Sequence, residues 1–201
     1  MSRTLLVATH NAHKTGEIRA ILADQFETVT DLTSLPGSEA PEEAGATFAE
    51  NSAIKALAAS RLLPGAFVLA DDSGLEVDAL GGAPGVHSSR YSGEGATDAS
   101  NRAKLLAELS RSELADAPLS ARFRCVLTVA RDGGVVAQFD GTVEGRIAAS
   151  ETGSGGFGYD SLFVPDGHEA SFGELPESVK NAMSHRARAL AKFREWLDGG
   201  S

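Results

Sequence analysis

Two adjacent carboxylates, Asp71 and Asp72, follow the apolar run Val68-Leu69-Ala70 and precede Ser73-Gly74. Like charges side by side repel, and a divalent cation is a strong counter-charge for them. The apolar run reads as the end of a buried strand, and Asp-Asp-Ser-Gly reads as turn chemistry. On that reading the carboxylates leave a sheet at a strand end, where open α/β sheets bind ligands. A solvated acidic turn accounts for these seven residues at least as well, so the rest of the chain has to decide.

Cations and donors occur in four other stretches. Thr9-His10-Asn11-Ala12-His13-Lys14 follows a strand pattern over Thr4–Ala8 and precedes a helix with Ile18, Ile21 and Leu22 at helical spacing. A turn entering a helix N-terminus is an anion site by virtue of its N–H groups and dipole, and Lys14 adds a point charge. The glycines of a Walker loop are missing, and Asn11 serves equally well as a plain N-cap. Thr47-Phe48-Ala49-Glu50 is a capping box that starts a second helix, with an apolar stripe expected at Ile54, Leu57 and Ala58. Asn51 and Lys55, four residues apart, then share another face, with Glu42 and Glu43 just upstream. The glycine-rich stretch Thr152–Asp160 permits close backbone approach to a ligand, and its two aromatics, Phe157 and Tyr159, offer stacking faces. Ser184 caps a last helix whose first turn carries His185, Arg186 and Arg188, while Leu190, Phe193 and Leu197 form its buried stripe. Cations at a helix N-terminus oppose the dipole, so His185 and Arg186 are expected to face a bound anion or another acceptor.

The elements that must position these groups alternate between strand and helix. A strand and a Pro-, Gly- and Glu-rich loop fill residues 28–45, and an ordered irregular loop covers 79–93. A helix is expected from about Thr97 to Leu109, with Leu105, Leu106 and Leu109 inward. Phe123, Cys125, Leu127 and Val129 alternate on one face of a strand, Asp132-Gly133-Gly134 turns, and Val135–Val143 returns; Gly145–Ala149 suggests a further strand. The 201 residues suit a single domain, or one core with two lobes. Apolar residues are 42% and charged residues 23%, an ordinary globular balance. The lone Cys125 forms no internal disulfide and points to a reducing, cytoplasmic setting. No membrane-length apolar run occurs, and Met1–Thr4 lacks the pattern of a signal peptide. A formal net charge of −10 argues against nucleic acid as a partner but allows a small anion in a locally cationic cleft.

Six stretches in order resemble the non-canonical purine NTP pyrophosphatases, the family of inosine triphosphate and dITP/XTP pyrophosphatases. They are Thr9–Lys14, Phe48–Lys55, Ala70–Gly74, Gly81–Gly85 with Ser89–Gly93, Gly155–Asp160 and Ser184–Arg186. The resemblance implies an α/β fold: an elongated mixed β-sheet flanked by helices, with two lobes and a central active-site cleft, in a homodimer. It implies one pyrophosphatase domain over residues 1–201, cleaving a nucleoside triphosphate to monophosphate and pyrophosphate with Mg2+. By position, Thr9, His10, Asn11, Ala12, His13, Lys14 and Lys55 would hold the triphosphate. Asp72 would be the general base and metal-linked carboxylate, and Glu43 a second metal contact, with Asp71 and Glu42 the neighbouring alternatives. Ser73, Phe157, Gly158, Tyr159, Asp160, Lys180, His185 and Arg186 would hold the nucleoside. His10 and His13 stand where many relatives have small or variable residues, and Ser161 where a proline is common.

That chemistry has a physical logic. Water attack on the α-phosphate needs a neutralised polyanion and an oriented water, for which a cation, a carboxylate and two lysines suffice. Hypoxanthine and xanthine carry a 6-keto acceptor where adenine has an amino donor, so donors at Lys180, His185 or Arg186 would favour the former. A catalytically silent nucleotide sensor, and a pyrophosphatase of other modified triphosphates, are the competing readings.

Overall fold

A computed structural model describes residues 4–35, 37–111 and 119–199. The N-terminal Met1–Arg3, part of the segment read for a leader, lie outside the described residues. The strands are β1 (Thr4–Val7), β2 (Thr28–Asp31), β3 (Phe67–Val77), β4 (Ser120–Arg131), β5 (Gly134–Ile147) and β6 (Phe163–Pro165). The helices are α1 (Ala12–Leu22), α2 (Phe48–Ser60), α3 (Asp98–Leu109), α4 (Glu177–Met183) and α5 (His185–Gly199). The strands form one mixed sheet in the order β2-β1-β3-β4-β5-β6. β1 pairs in parallel with β2 and β3, placing Leu6 opposite Thr30 and Val68, whereas β5 and β6 are antiparallel.

The chain divides into two compact units, residues 1–72, 125–141 and 185–201, and residues 73–124 and 142–184. In the first, strand parity sorts the core into two layers, because successive strand side chains point to opposite faces. Leu5, Val7, Leu69, Cys125, Leu127 and Val129 pack with Ile18 and Leu22 of α1 and Ala189, Leu190 and Phe193 of α5. Leu6, Ala8, Val68, Ala70 and Ala130 pack with Ala56 and Ala59 of α2. Burial on both faces is why β1 and the start of β3 read as unbroken apolar runs. In the second unit, Leu75, Val77, Phe123, Val143 and Ile147 pack against Leu105 and Leu109 of α3 and the phenylalanines Phe163 and Phe172.

The Thr47–Glu50 capping box forms, and Thr97 with Ser100 makes a second one at the start of α3. The hairpin turn is built on Asp132 at φ 51° and Gly133 at φ 81°, the left-handed pair that matches strand twist. Three expectations need correction. Asp71-Asp72-Ser73-Gly74 is not a turn but the middle of β3, beyond the Phe67–Leu69 part that pairs with β1, and its place in the sheet beside β4 overrides local turn preference. The face of α2 that is buried is Phe48, Asn51, Ser52, Ala56, Ala59 and Ser60, whereas Ile54, Leu57 and Ala58 are only partly covered. Small residues let that helix approach the sheet closely. Gly145–Ile147 is the end of β5 and not a separate strand. Among the described residues, no helix is long and apolar enough to cross a membrane.

Candidate active site

Because Asp71 and Asp72 are consecutive in a strand, their side chains leave opposite faces of the sheet. Each therefore meets its own cation, and the repulsion expected of a turn does not arise.

Asp71 points into the layer of α1 and α5. Its carboxylate accepts from Arg186 Nε at 2.8 Å, Arg186 Nη2 at 3.4 Å, Lys14 Nζ at 2.5 Å and Cys125 Sγ at 3.2 Å. Arg186, only 1% exposed, also pairs through Nη1 with the buried carboxylate of Glu17. Burial alone would raise the Asp71 pKa, but Arg186 and Lys14 together hold it well below the usual carboxylate range. The same burial works against Arg186, yet Asp71 and Glu17 keep it firmly charged. Burial and the Asp71 carboxylate push the Cys125 thiol up, so it is an inert core donor. Arg186 thus faces acceptors, as its place at the start of α5 requires, and those acceptors are the protein's own carboxylates. Glu17 gave no sequence signal beyond being an acid on α1; only its burial beside Arg186 marks it out.

Asp72 points into the layer of α2. Lys55 Nζ donates to its Oδ1 at 2.7 Å and lies 3.4 Å from Glu43 Oε1. The Lys55 side chain is 11% exposed; burial pulls its pKa down, but Asp72 and Glu43 outweigh it and the amine is held charged. Burial raises the Asp72 pKa, partly offset by Lys55 and reinforced by Glu43. One ammonium therefore serves two carboxylates, and the cluster carries an excess negative charge. Moreover Asp72 Oδ2 is buried with no hydrogen-bond partner among the described residues. An unshared carboxylate oxygen next to a second carboxylate fits a hard divalent cation, which commonly takes one or two carboxylates and fills its other positions with water and phosphate oxygens. Glu43 is partly buried beside Lys55 and Glu42 is exposed, so the geometry separates these neighbours as it does the aspartates. The segment carrying Glu43 is tied to α2, where the Gly45 N–H donates to buried Asn51 at 2.8 Å. A Cβ on Gly45 would lie 2.7 Å from that same Asn51 oxygen, so the close approach needs glycine.

At the start of α1, Asn11 Oδ1 accepts from the N–H groups of His13 and Lys14 and Thr9 Oγ1 accepts from Asn11, so the capping role is realised. His10 Nε2 lies 3.1 Å from the Ser38 carbonyl, and His10, Ala12 and His13 are exposed.

The second unit assembles the Phe157–Asp160 stretch. Asp160 Oδ2 accepts from the Phe157 N–H at 2.9 Å and from Lys180 Nζ at 2.6 Å, and that ammonium sits 4.7 Å above the Phe157 ring. Gly156, at φ +71°, would place a Cβ 2.0 Å from the Asp160 carboxylate. Of the two aromatics only Phe157 keeps an accessible face: Tyr159 is 4% exposed and donates its hydroxyl to the Ser88 carbonyl at 2.9 Å. Burial raises that phenol's pKa beyond its ordinary value, so it stays a neutral anchor. Lys180 is buried on α4, while His185 is buried at the start of α5 in the first unit. Ser73 is a partly buried β3 residue.

A model of the Ham1 family matches residues 5–196. The chain is 46% identical over 193 residues to the dITP/XTP pyrophosphatase of Geobacillus kaustophilus, covering 96% of this chain and 93% of that protein. It is 47% identical over 193 residues to the dITP/XTP pyrophosphatase of Geobacter sulfurreducens, covering 96% of each. Among solved structures, a HAM1 protein from Coxiella burnetii superposes with a TM-score of 0.86 at 38% identity, covering 98% of both chains. The Staphylococcus aureus Ham1 protein gives 0.84 at 35% identity, covering 99% of this chain and 100% of that one. The matched span contains every group described above, and the chain belongs to the Ham1 family.

Proposed function

We propose that this chain is a nucleoside triphosphate pyrophosphatase that hydrolyses non-canonical purine substrates, dITP/ITP and XTP/dXTP, to the monophosphate and pyrophosphate. The observation that carries the reading is the Lys55–Asp72–Glu43 cluster, in which one buried amine serves two carboxylates and Asp72 keeps an unshared oxygen. Relatives at 42–47% identity that bear the name dITP/XTP pyrophosphatase supply the substrate class.

In this mechanism Asp72 and Glu43 would hold Mg2+, whose chemistry is to neutralise the phosphates and acidify a water. The Asp72 carboxylate accepts the proton of the attacking water as its oxygen bonds to the α-phosphorus. The bond from that phosphorus to the bridging oxygen breaks, and pyrophosphate leaves with its charge met by Lys55 and Lys14. Lys14 is pre-aimed by Asp71, and Thr9 to His13 line the same end of α1. In the second unit Phe157 stacks on the base without reading it, within the stretch Gly158, Tyr159 and Asp160 that shapes the nucleoside end. Lys180 is the donor for the 6-keto oxygen, and Ser73, His185 and Arg186 are assigned to the nucleoside as well. Because Arg186 already directs three nitrogens at Asp71 and Glu17, it acts first as their support. Residues 1–201 work as one catalytic domain, in a cytoplasmic homodimer.

Pyrophosphate release from dITP, XTP, dGTP, dATP and modified pyrimidine triphosphates, with and without Mg2+, tests the proposal. Turnover is expected for dITP and XTP with Mg2+ only. Orthophosphate as the first product, or equal turnover of dATP, would refute it; no turnover of any triphosphate would favour a silent sensor.

A further inference from the structure

Gly158 is held from two sides by α3. Its N–H donates to Asp98 Oδ2 at 2.7 Å, and its carbonyl accepts from Arg102 Nη1 at 2.8 Å. Asp98 and Arg102 are one helical turn apart and so project from one face of α3. The Arg102 guanidinium is steadied in turn by Glu151, 2.9 Å from its Nε. Gly158 has φ +62°, with nothing within 4 Å of where a Cβ would sit. Glycine is there for its backbone twist alone, and a glycine peptide has the widest choice of conformations to lose. The two charged hydrogen bonds from α3 select one of them.

We infer that Asp98 and Arg102 are positioning residues for base recognition: by gripping both ends of the Gly158 residue they fix the Phe157 ring and the ammonium of Lys180 above it. The inference rests on the reading of Phe157–Asp160 as the nucleoside end. A simpler account makes Asp98 an acid that favours the α3 N-terminus and Arg102 a surface partner of Glu151. That account does not explain why both side chains converge on one residue of another segment. The two accounts diverge for Asp98→Asn, which loses the charge but keeps an acceptor oxygen for the Gly158 N–H.

The test measures kcat and KM for dITP, and the inhibition constant of pyrophosphate, which engages only the phosphate end. Asp98→Ala and Arg102→Ala are expected to raise KM about tenfold, as loss of a charge-assisted hydrogen bond implies, with a smaller change in kcat. The pyrophosphate inhibition constant should stay within about twofold, and Asp98→Asn and Arg102→Lys should remain within about threefold of the parent KM. Asp98→Asn behaving like Asp98→Ala would assign Asp98 to the helix end and overturn the inference. So would unchanged KM in both alanine variants, or a pyrophosphate constant rising in step with KM. Glu151→Gln is the control for the surface ion pair, and KM should follow Arg102 rather than Glu151. A parent enzyme that turns over no purine triphosphate would overturn the functional reading together with this inference; an active parent with indifferent variants would overturn the inference alone.

Discussion

Asp71→Asn and Asp72→Asn, two changes one residue apart, should fail in opposite ways. Asp71 is fully buried and neutralises Arg186, itself 1% exposed, and Lys14. An asparagine there removes the charge and turns an amide N–H2 toward a guanidinium. Removing one partner of a buried ion pair costs about 3–5 kcal/mol; here two cations lose their shared carboxylate, and Glu17 remains to compensate only Arg186. For a chain of this size each kcal/mol moves the midpoint by about 2–4 °C, so Asp71→Asn should melt about 6–20 °C lower. Asp72 differs. Its carboxylate is already disfavoured by burial, and Lys55 retains Glu43 at 3.4 Å when the charge is lost. Neutralising it should change stability by about 1 kcal/mol or less, a shift under about 4 °C. Its effect falls on turnover, where loss of a general base costs about 10²–10⁴-fold. The assay is thermal unfolding by circular dichroism at neutral pH, paired with pyrophosphate release at 25 °C. If Asp72→Asn melts as low as Asp71→Asn, or Asp71→Asn keeps the parent midpoint, the division of labour drawn from strand parity is wrong.

Other consequences can be checked independently. Glu43→Gln should raise the Mg2+ concentration for half-maximal rate by about tenfold or more, while exposed Glu42→Gln leaves it unchanged; a metal titration of both variants decides. The lowered Asp71 pKa sets a pH dependence. A carboxylate depressed on folding contributes stability above its unfolded value, near 3.8, and loses it as pH falls toward the folded value. Melts between pH 6 and pH 2.5 should therefore show a drop below about pH 4 that is smaller in Asp71→Asn; equal drops in both proteins would contradict this. Gly141→Ala would place a Cβ 2.0 Å from the His185 carbonyl and 2.6 Å from the Ala189 N, both backbone atoms of α5. It should lower the melting midpoint more than alanine at the open Gly16 position, which has nothing within 4 Å of its Cβ.

Much of the scaffold was written locally. The apolar runs Thr4–Ala8 and Val68–Ala70, the Thr47–Glu50 box, the Asp132–Gly134 turn and the helix after Thr97 each depend on neighbours within a few residues, so their signals survive in the bare chain. The list of chemically able residues was legible for the same reason, and Lys55 beside Asp72 and Lys180 beside Phe157 were both on it. What the chain could not say was how those residues would be dealt out. Asp-Asp-Ser-Gly has the local preferences of a turn, and it became strand because β3 runs on past its pairing with β1 and lies beside β4 in the sheet. Once it was strand, the two-residue period sent Asp71 to Arg186 and Lys14 and sent Asp72 to Lys55 and Glu43. The same was true of Glu17 and Arg186, which meet across 169 positions of sequence, and of Tyr159, whose hydroxyl is claimed by Ser88. Charge pairing in a buried layer is decided by which elements pack together, and no property of an isolated aspartate records which face of a sheet it will occupy.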